Sequence, residues 1–428
     1  MSQGVITLFE DRQKKVELTK DQIDDINSFR NILGNKISLS SDGYLQVCKY
    51  VGFISRGKTR LQILPKIYEN IGLDEESEQR ESMRVMLNLL RVSEFNSLLG
   101  LSDQSSFAEQ SDIMEIMISI FADKVIDLYS RKMNREYITI TENSAFIKGK
   151  IDFSANIKEN PFRKDLHIVS FQNFEHDNII NNVIKTVCIK LLKLTNNSEN
   201  KKKLKKALVF LDDAQEIILY YEIFSLTRFS RLNMIFKPVF DLAKMFFFNL
   251  TPASYQGDDT VSSFLIPLND LFEYYVFKLF DSFDDMYASY QNSNNFARGI
   301  DNDFRMSIRP DIILSQNREL ILIADAKYKN PGYQNGIYKS ISSDDIYQVY
   351  SYANTLDVKS IALIYPNFEN YDTPAMTIEL GDYGNIVNLI VICIDIKDSD
   401  IESNSRKLYN NLMESNIKIS ISEGQNEW

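Results

Sequence analysis

Cysteine and histidine are almost missing from this sequence of 428 residues, and their scarcity removes several classes of protein at once. The three cysteines, Cys48, Cys188 and Cys393, lie far apart and form no CxxC pair, so neither a disulfide framework nor a zinc site is expected. Two histidines, His167 and His176, are too few for a histidine-rich metal centre, and both read as structural or surface residues. No apolar run approaches the roughly 18 to 20 residues of a membrane span. The start, Met-Ser-Gln-Gly-Val, lacks a basic region followed by an apolar core. A cytoplasmic protein without membrane contact is the simplest expectation. A basic surplus is missing as well. Net charge is −11 and the pI near 5.0, whereas a chain that grips DNA unaided usually carries a cationic surface that displaces counterions. Action on DNA therefore calls for a local basic groove or a partner.

What is present suits a folded protein of two or three domains, with 44% hydrophobic and 25% charged residues. Residues 1–165 are expected to form a β-rich N-terminal domain with helices. Segments 44–54 and 59–67 alternate like strands around Arg56-Gly57-Lys58, and Met83, Met86, Leu87 and Leu90 have helical spacing, as do Ile113, Ile116, Met117 and Ile120. A short strand pair is expected at 137–140 and 146–153. Residues 166–258 read as a helical middle region with helices at 179–194 and 235–250. Its basic run 201–206 is a solvated helix face or, alternatively, a contact for a DNA backbone. The stretch 251–263, rich in Pro, Gly, Ser and Asp, reads as a linker. Residues 259–428 follow the order helix (265–280), hairpin, helix (344–356) and strands (360–365 and 386–394). The fold class is α/β (α+β overall), with a C-terminal mixed sheet flanked by helices.

Chemistry concentrates in the hairpin. Arg309-Pro310-Asp311 precedes an apolar segment 312–314, polar residues 315–319 make a turn, and a second apolar segment 320–324 runs into Asp325-Ala326-Lys327. Alternation puts Asp325 and Lys327 on one face, with Asp311 across from them on the partner strand. An exposed ion pair is the bland alternative. However, the run 320–324 is apolar on both faces, which marks a central, buried strand, and charges emerging from such a strand need a compensating purpose. A divalent cation held by carboxylate oxygens would supply one. Glu273 sits inside the very apolar 265–280 helix, where it either pairs with a base such as Lys278, meets solvent, or joins a site. Gln348 and Tyr352, four apart, share a helix face. They are boundary residues, or they orient Lys327 or hold a phosphate.

A competing motif exists. Gly52-Phe53-Ile54-Ser55-Arg56-Gly57-Lys58-Thr59 satisfies GxxxxGK[ST], and Leu208-Val209-Phe210-Leu211-Asp212-Asp213 resembles a Walker B strand. A phosphate-cradling loop needs a helix after its lysine. Here Thr59-Arg60-Leu61-Gln62-Ile63-Leu64-Pro65 alternates like a strand, so a hairpin tip is expected and no nucleotide bound by this chain itself.

Taken together, Asp311, Asp325-Ala326-Lys327 and Gln348-x-x-x-Tyr352 resemble the PD-(D/E)XK nuclease superfamily and its RecB-like branch. Further motifs resemble the McrC family, the nuclease subunit of McrBC modified-DNA restriction systems. These are Tyr50-Val51-Gly52-Phe53-Ile54, Leu61-Gln62-Ile63-Leu64-Pro65-Lys66-Ile67, Lys148-Gly149-Lys150-Ile151-Asp152 and the Glu175, Asn178, Asn181 region. The resemblance implies a PD-(D/E)XK endonuclease domain in 259–428. It implies Mg²⁺ (or Mn²⁺) held by Asp311, Asp325 and the Ala326 carbonyl, with Lys327, Glu273, Gln348 and Tyr352 completing the catalytic set. It also implies a McrB-like AAA+ GTPase ring as partner, which delivers modified duplex DNA and whose hydrolysis the N-terminal region stimulates. Arg56 and Lys58 are candidate ring contacts. A non-catalytic activator of such a motor and a stand-alone RecB-like exonuclease are the alternatives.

Overall fold

The alternating residues between 44 and 64 do form strands, and their partners explain how the chain is organised. The computed structural model describes residues 5–56, 59–67, 72–93, 112–250, 262–284, 286–298, 305–334, 337–369, 372–381 and 386–415. Strands Tyr50–Arg56 and Thr59–Leu64 pair antiparallel. Ile6–Phe9 adds in parallel on one side and Ser262–Pro267 antiparallel on the other, giving a four-stranded sheet. The GxxxxGK[ST] motif is thus part of a strand pair, as its alternation predicts, although Gly57 and Lys58 fall outside the described residues. Gly52 has φ +126°, and a Cβ there would lie 1.8 Å from the Phe264 carbonyl oxygen. Strand packing therefore demands glycine at this position. Helix Lys20–Leu33, started by a Thr19/Gln22 capping box, lays Ile26, Phe29 and Leu33 onto Leu8, Ile54, Leu61 and Ile63.

Because Ser262–Pro267 returns to the N-terminal sheet, the chain divides into two compact units. One is built from 1–96, 100–113 and 257–428, the other from 97–99 and 114–256. These units and the three segments expected from sequence cut the chain at different places. The same return corrects the expected 265–280 helix. Leu265 and Ile266 are strand residues, and the helix runs Leu268–Asp281 with Pro267 at its N-cap.

The second sheet of the first unit carries the hairpin. Its order is Tyr287–Tyr290, Ile312–Gln316, Glu319–Ala326, Ser360–Pro366, Val387–Ile394, Met376–Leu380. The three central strands Glu319–Ala326, Ser360–Pro366 and Val387–Ile394 are mutually parallel, and the remaining pairings are antiparallel. Asn317 and Arg318, both left-handed (φ 51° and 71°), make the tight two-residue turn that matches strand twist. Parallel strands need a crossover, and helix Ser343–Leu356 supplies it between Glu319–Ala326 and Ser360–Pro366. Val349, Tyr352 and Ala353 of that helix are buried with Ile323, Ile361, Leu363, Leu389 and Val391. The helix Leu268–Asp281 buries Leu271, Phe272, Tyr275, Val276, Leu279 and Phe280, each contributing roughly 1.5–3 kcal/mol.

In the second unit, helices such as Ile179–Leu194 and Ser198–Phe210 accompany a small sheet ordered Glu136–Ser144, His167–Glu175, Lys150–Ile151. The expected pairing of 137–140 with 146–153 is replaced. Both segments pair instead with His167–Glu175, and Phe153 opens a helix capped by Asp152. Asn178 caps Ile179–Leu194, and Asn134, Asn181 and Tyr129 close a buried hydrogen-bond network around it. Leu208, Val209 and Phe210 lie in a helix, which excludes the Walker B strand. Within the basic run, Lys203 pairs with Asp123 at 2.6 Å and Lys202 with Glu199 at 2.7 Å. Among the described residues no helix is long and apolar enough to cross a membrane.

Candidate active site

Register places the charged residues. Ile312 lies opposite Ala324, so Asp311, just outside its strand, falls beside the end of Glu319–Ala326. Its Oδ2 accepts a hydrogen bond from the Ala326 amide at 2.9 Å. On the other side, the Lys327 amide donates to the Ile364 carbonyl at 2.8 Å, which continues the parallel ladder to the point where the lysine leaves the sheet. Asp325 is 1% exposed. Its Oδ2 pairs with Lys327 Nζ at 2.6 Å but has no aligned hydrogen-bond donor.

The crossover helix meets this pair. Lys327 Nζ donates to Gln348 Oε1 at 3.1 Å, and Gln348 Nε2 donates to the Tyr352 hydroxyl at 2.7 Å. The i, i+4 spacing seen in the sequence thus becomes a tether on the lysine. Glu273 approaches from the preceding helix. Lys278, one partner considered for it, pairs instead with Asp281 at 2.8 Å, while Glu273 Oε2 accepts from Gln291 Nε2 at 2.9 Å.

Electrostatics show that these groups share one patch. Burial, followed by the charges of Asp325 and Glu273, pushes the Asp311 carboxyl up to about 8. Burial also raises Glu273, with Asp270 and Asp325 adding to it, and burial raises Asp325 against the pull of Lys327. For Lys327, burial lowers proton affinity, but attraction to Asp325 outweighs it and the ammonium is held more tightly than usual. Three carboxylates that hinder one another's ionisation, with one ammonium among them, lack positive charge. A divalent cation fits this donor set. Asp311, Asp325 and the Ala326 carbonyl can hold it, and the Asp325 Oδ2, buried and ion-paired to Lys327 without an aligned donor, leaves a lone pair for a cation. Among the described residues no group of three or more His, Cys, Asp or Glu side chains is placed to hold a metal ion, so such a site would rest on two carboxylates and a carbonyl. Two carboxylates and a carbonyl suit Mg²⁺, which keeps several of its waters.

Several neighbours escaped the sequence reading. Asp345, buried in the first turn of the crossover helix, pairs with Lys329 Nζ at 2.5 Å and accepts from the Tyr365 hydroxyl at 3.3 Å. Gln291 and Arg309 form a clasp next to Asp311. Lys329 lies beyond the strand end, at a bend where its amide donates to the Lys327 carbonyl at 2.9 Å, so strand alternation does not mark it. Nothing local in the sequence marks Gln291.

The fold and this cluster together define a class: an α/β protein whose mixed sheet ends in a carboxylate–lysine site suited to a divalent cation. The family follows from comparison. Residues 45–366 match the family model described as "McrBC 5-methylcytosine restriction system component", and the chain belongs to that McrBC family. Among solved structures, it is similar to a chain of a "Refined half-complex from tetradecameric assembly of Thermococcus gammatolerans McrB AAA+ hexamers with bound McrC". That likeness has a TM-score of 0.75 at 20% identity and covers 96% of this chain and 100% of that one. A chain of the "Cryo-EM structure of the Thermococcus gammatolerans McrBC complex" matches with a TM-score of 0.50 at 22% identity, covering 63% of this chain and 85% of that one. At such identities the likeness is one of fold. No curated protein matches.

Proposed function

We propose that this chain is the McrC-type, DNA-cleaving subunit of a McrBC-like restriction complex, a Mg²⁺-dependent endodeoxyribonuclease of the PD-(D/E)XK kind acting on 5-methylcytosine-containing DNA. The carrying observation is the convergence of Asp311, Asp325 and Lys327 at one end of the central sheet, with Gln348 holding the lysine, in a chain of this family. Asp311, Asp325 and the Ala326 carbonyl would hold Mg²⁺ or Mn²⁺. Bound there, a divalent cation polarises a phosphate oxygen and lowers the pKa of a water. Lys327, fixed between Asp325 and Gln348, keeps its proton and offers positive charge where phosphoryl charge builds up. Glu273, with its raised proton affinity, can accept or return a proton from water. Gln348 and Tyr352 keep the lysine directed at the site.

A net charge of −11 leaves the grip on DNA to another subunit. The similar chain comes from an assembly of McrB AAA+ hexamers with bound McrC. We take a McrB-like GTPase ring as the partner here, with the N-terminal region stimulating its hydrolysis. Arg56 lies 3.7 Å from Asp25, so a role in ring contact would require that pair to open.

Plasmid cleavage tests the reading. Methylated and unmethylated plasmid are incubated with the chain or its Asp325→Ala variant, Mg²⁺ and GTP, with and without a McrB-like ring. Cleavage of methylated plasmid only with ring and nucleotide, lost in Asp325→Ala, supports it. Robust cleavage by the chain alone marks a stand-alone nuclease. Stimulated GTP hydrolysis without cleavage under any condition marks a non-catalytic activator.

A further inference from the structure

The edge strand of the second sheet delivers a residue that the site described above does not yet account for. Tyr287–Tyr290 pairs antiparallel with Ile312–Ser315, and Tyr290 sits opposite Ile312. The next residue, Gln291, therefore falls opposite Asp311, and its amide donates to the Asp311 carbonyl at 2.8 Å. Gln291 has φ +50°, a left-handed conformation that a residue with a Cβ keeps only when its surroundings fix it. The surroundings do fix it. Its carbonyl accepts from Arg309 Nε at 3.1 Å, its Oε1 accepts from the Arg309 guanidinium, and its Nε2 donates to Glu273 Oε2 at 2.9 Å.

Each half of the side-chain amide is thus committed. The oxygen is occupied by Arg309, so the nitrogen must face outward, and it faces Glu273. The amide orientation follows from the partners, because the guanidinium can only donate and an ionised carboxylate can only accept. Chain path explains the rest. The chain leaves the sheet after Gln291, forms the hairpin Asn294–Arg298/Arg305–Ile308, and re-enters at Arg309. Arg309 and Gln291 close the neck of that excursion, two residues before the first proposed metal ligand.

We propose that Gln291 is a positioning residue that ties Glu273 to the Asp311 strand, with Arg309 locking the Gln291 amide so that it can only donate toward Glu273. This rests on the nuclease reading above and assigns a role no sequence motif suggested. Closing the neck alone would need only the Arg309 contacts. The Nε2–Glu273 bond reaches out of the excursion to a helix across the site, and it is the part that sets the carboxylate's direction. Partners that orient groups around a metal are typically worth about 10- to 100-fold in metal affinity or activity.

The test is a double-mutant cycle on the full chain, read first by Mn²⁺ binding (electron paramagnetic resonance) and then by cleavage in the reconstituted complex. Gln291→Met keeps size but removes both side-chain hydrogen bonds. Gln291→Asn keeps the amide and tolerates the left-handed backbone, yet is too short to reach Glu273. Each is combined with Glu273→Gln. Glu273 would act on the metal through one of the waters the metal keeps, so the proposal expects both single variants at position 291 to weaken Mn²⁺ binding about tenfold, with no further loss when either is added to Glu273→Gln. Unchanged Mn²⁺ affinity in Gln291→Asn overturns it. So do losses that multiply in the double variants, because a neck-closing role does not act through Glu273. Wild-type protein that neither binds Mn²⁺ nor cuts would instead sink the nuclease reading on which the proposal stands.

Discussion

Replacing Asp311 by asparagine should stabilise the metal-free protein, although that residue is proposed to be essential. In the fold, burial and the charges of Asp325 and Glu273 push the carboxyl from an ordinary 3.8 up to about 8. Between those values the folded chain keeps a proton that the unfolded chain releases. The native state therefore binds more protons, and stability falls as pH rises through that window, levelling off above about 8. The shift is about four units, and at about 1.4 kcal/mol per unit the ceiling is on the order of 5–6 kcal/mol. One substitution recovers less. Lys327 already offsets part of the charge, and Asp325 and Glu273 remain crowded. Asparagine also keeps an oxygen for the Ala326 amide, so the hydrogen bond survives. We expect Asp311→Asn to be more stable than wild type by about 1–3 kcal/mol at pH 9, with the gap shrinking to about a third of that at pH 5. Urea unfolding in chelator at both pH values measures this. Taking the difference between the two proteins cancels Glu10, which burial likewise raises to about 8. Adding Mn²⁺ should reverse the order, with wild type gaining about 4.1 kcal/mol at about a thousand times its Kd and the variant little. A variant less stable than wild type at pH 9, or a gap that ignores pH, would refute the electrostatic account of the site.

Metal binding should release protons from the crowded carboxylates. Calorimetry near pH 7 in buffers of different ionisation enthalpy should show proton release for wild type and less for Asp311→Asn; equal release from both would count against the cluster. Gln348→Ala frees Lys327 from its tether and should lower cleavage by roughly 10- to 100-fold with little change in stimulated GTP hydrolysis, measured on the same complex. Gly52→Ala, whose Cβ would meet the Phe264 carbonyl at 1.8 Å, should cost about 3 kcal/mol or more in chemical unfolding. A stable Gly52→Ala protein would contradict the strand packing described. Asn88→Ala, which removes donors to the buried Ile396 carbonyl and the half-buried Lys397 carbonyl, should cost about 1–3 kcal/mol by the same assay.

The hairpin was legible because its signals are local: two apolar runs, a polar turn and charges at the end of a strand with no polar face. The crossover helix was legible for the same reason, since Gln348 and Tyr352 needed only helical periodicity to share a face. Long-range register was not legible. Leu265 and Ile266 stand directly before an apolar helix and read as its first turn, and only the Tyr50–Arg56 strand shows that they belong to a sheet. Gln291 acquires its role from the pairing of Tyr290 with Ile312. Asp345 reads as an ordinary acidic first turn until strand Ser360–Pro366 brings Tyr365 against it. In the McrC-like motifs of the N-terminal half, Gly52, Asp152 and Asn178 prove to be a close-approach glycine and two helix caps. Sequence could mark them as distinctive without saying why.

The most direct test of the central claim is cleavage of methylated plasmid by the reconstituted complex carrying Asp325→Asn, with GTP turnover recorded in the same reaction. Asparagine preserves the shape of a buried side chain while removing the charge proposed to hold the metal. The account expects stimulated GTP hydrolysis to persist and cleavage to fall by about a thousandfold or more, since metal-assisted stabilisation of the transition state is lost. Cleavage at the wild-type rate by that variant would contradict it.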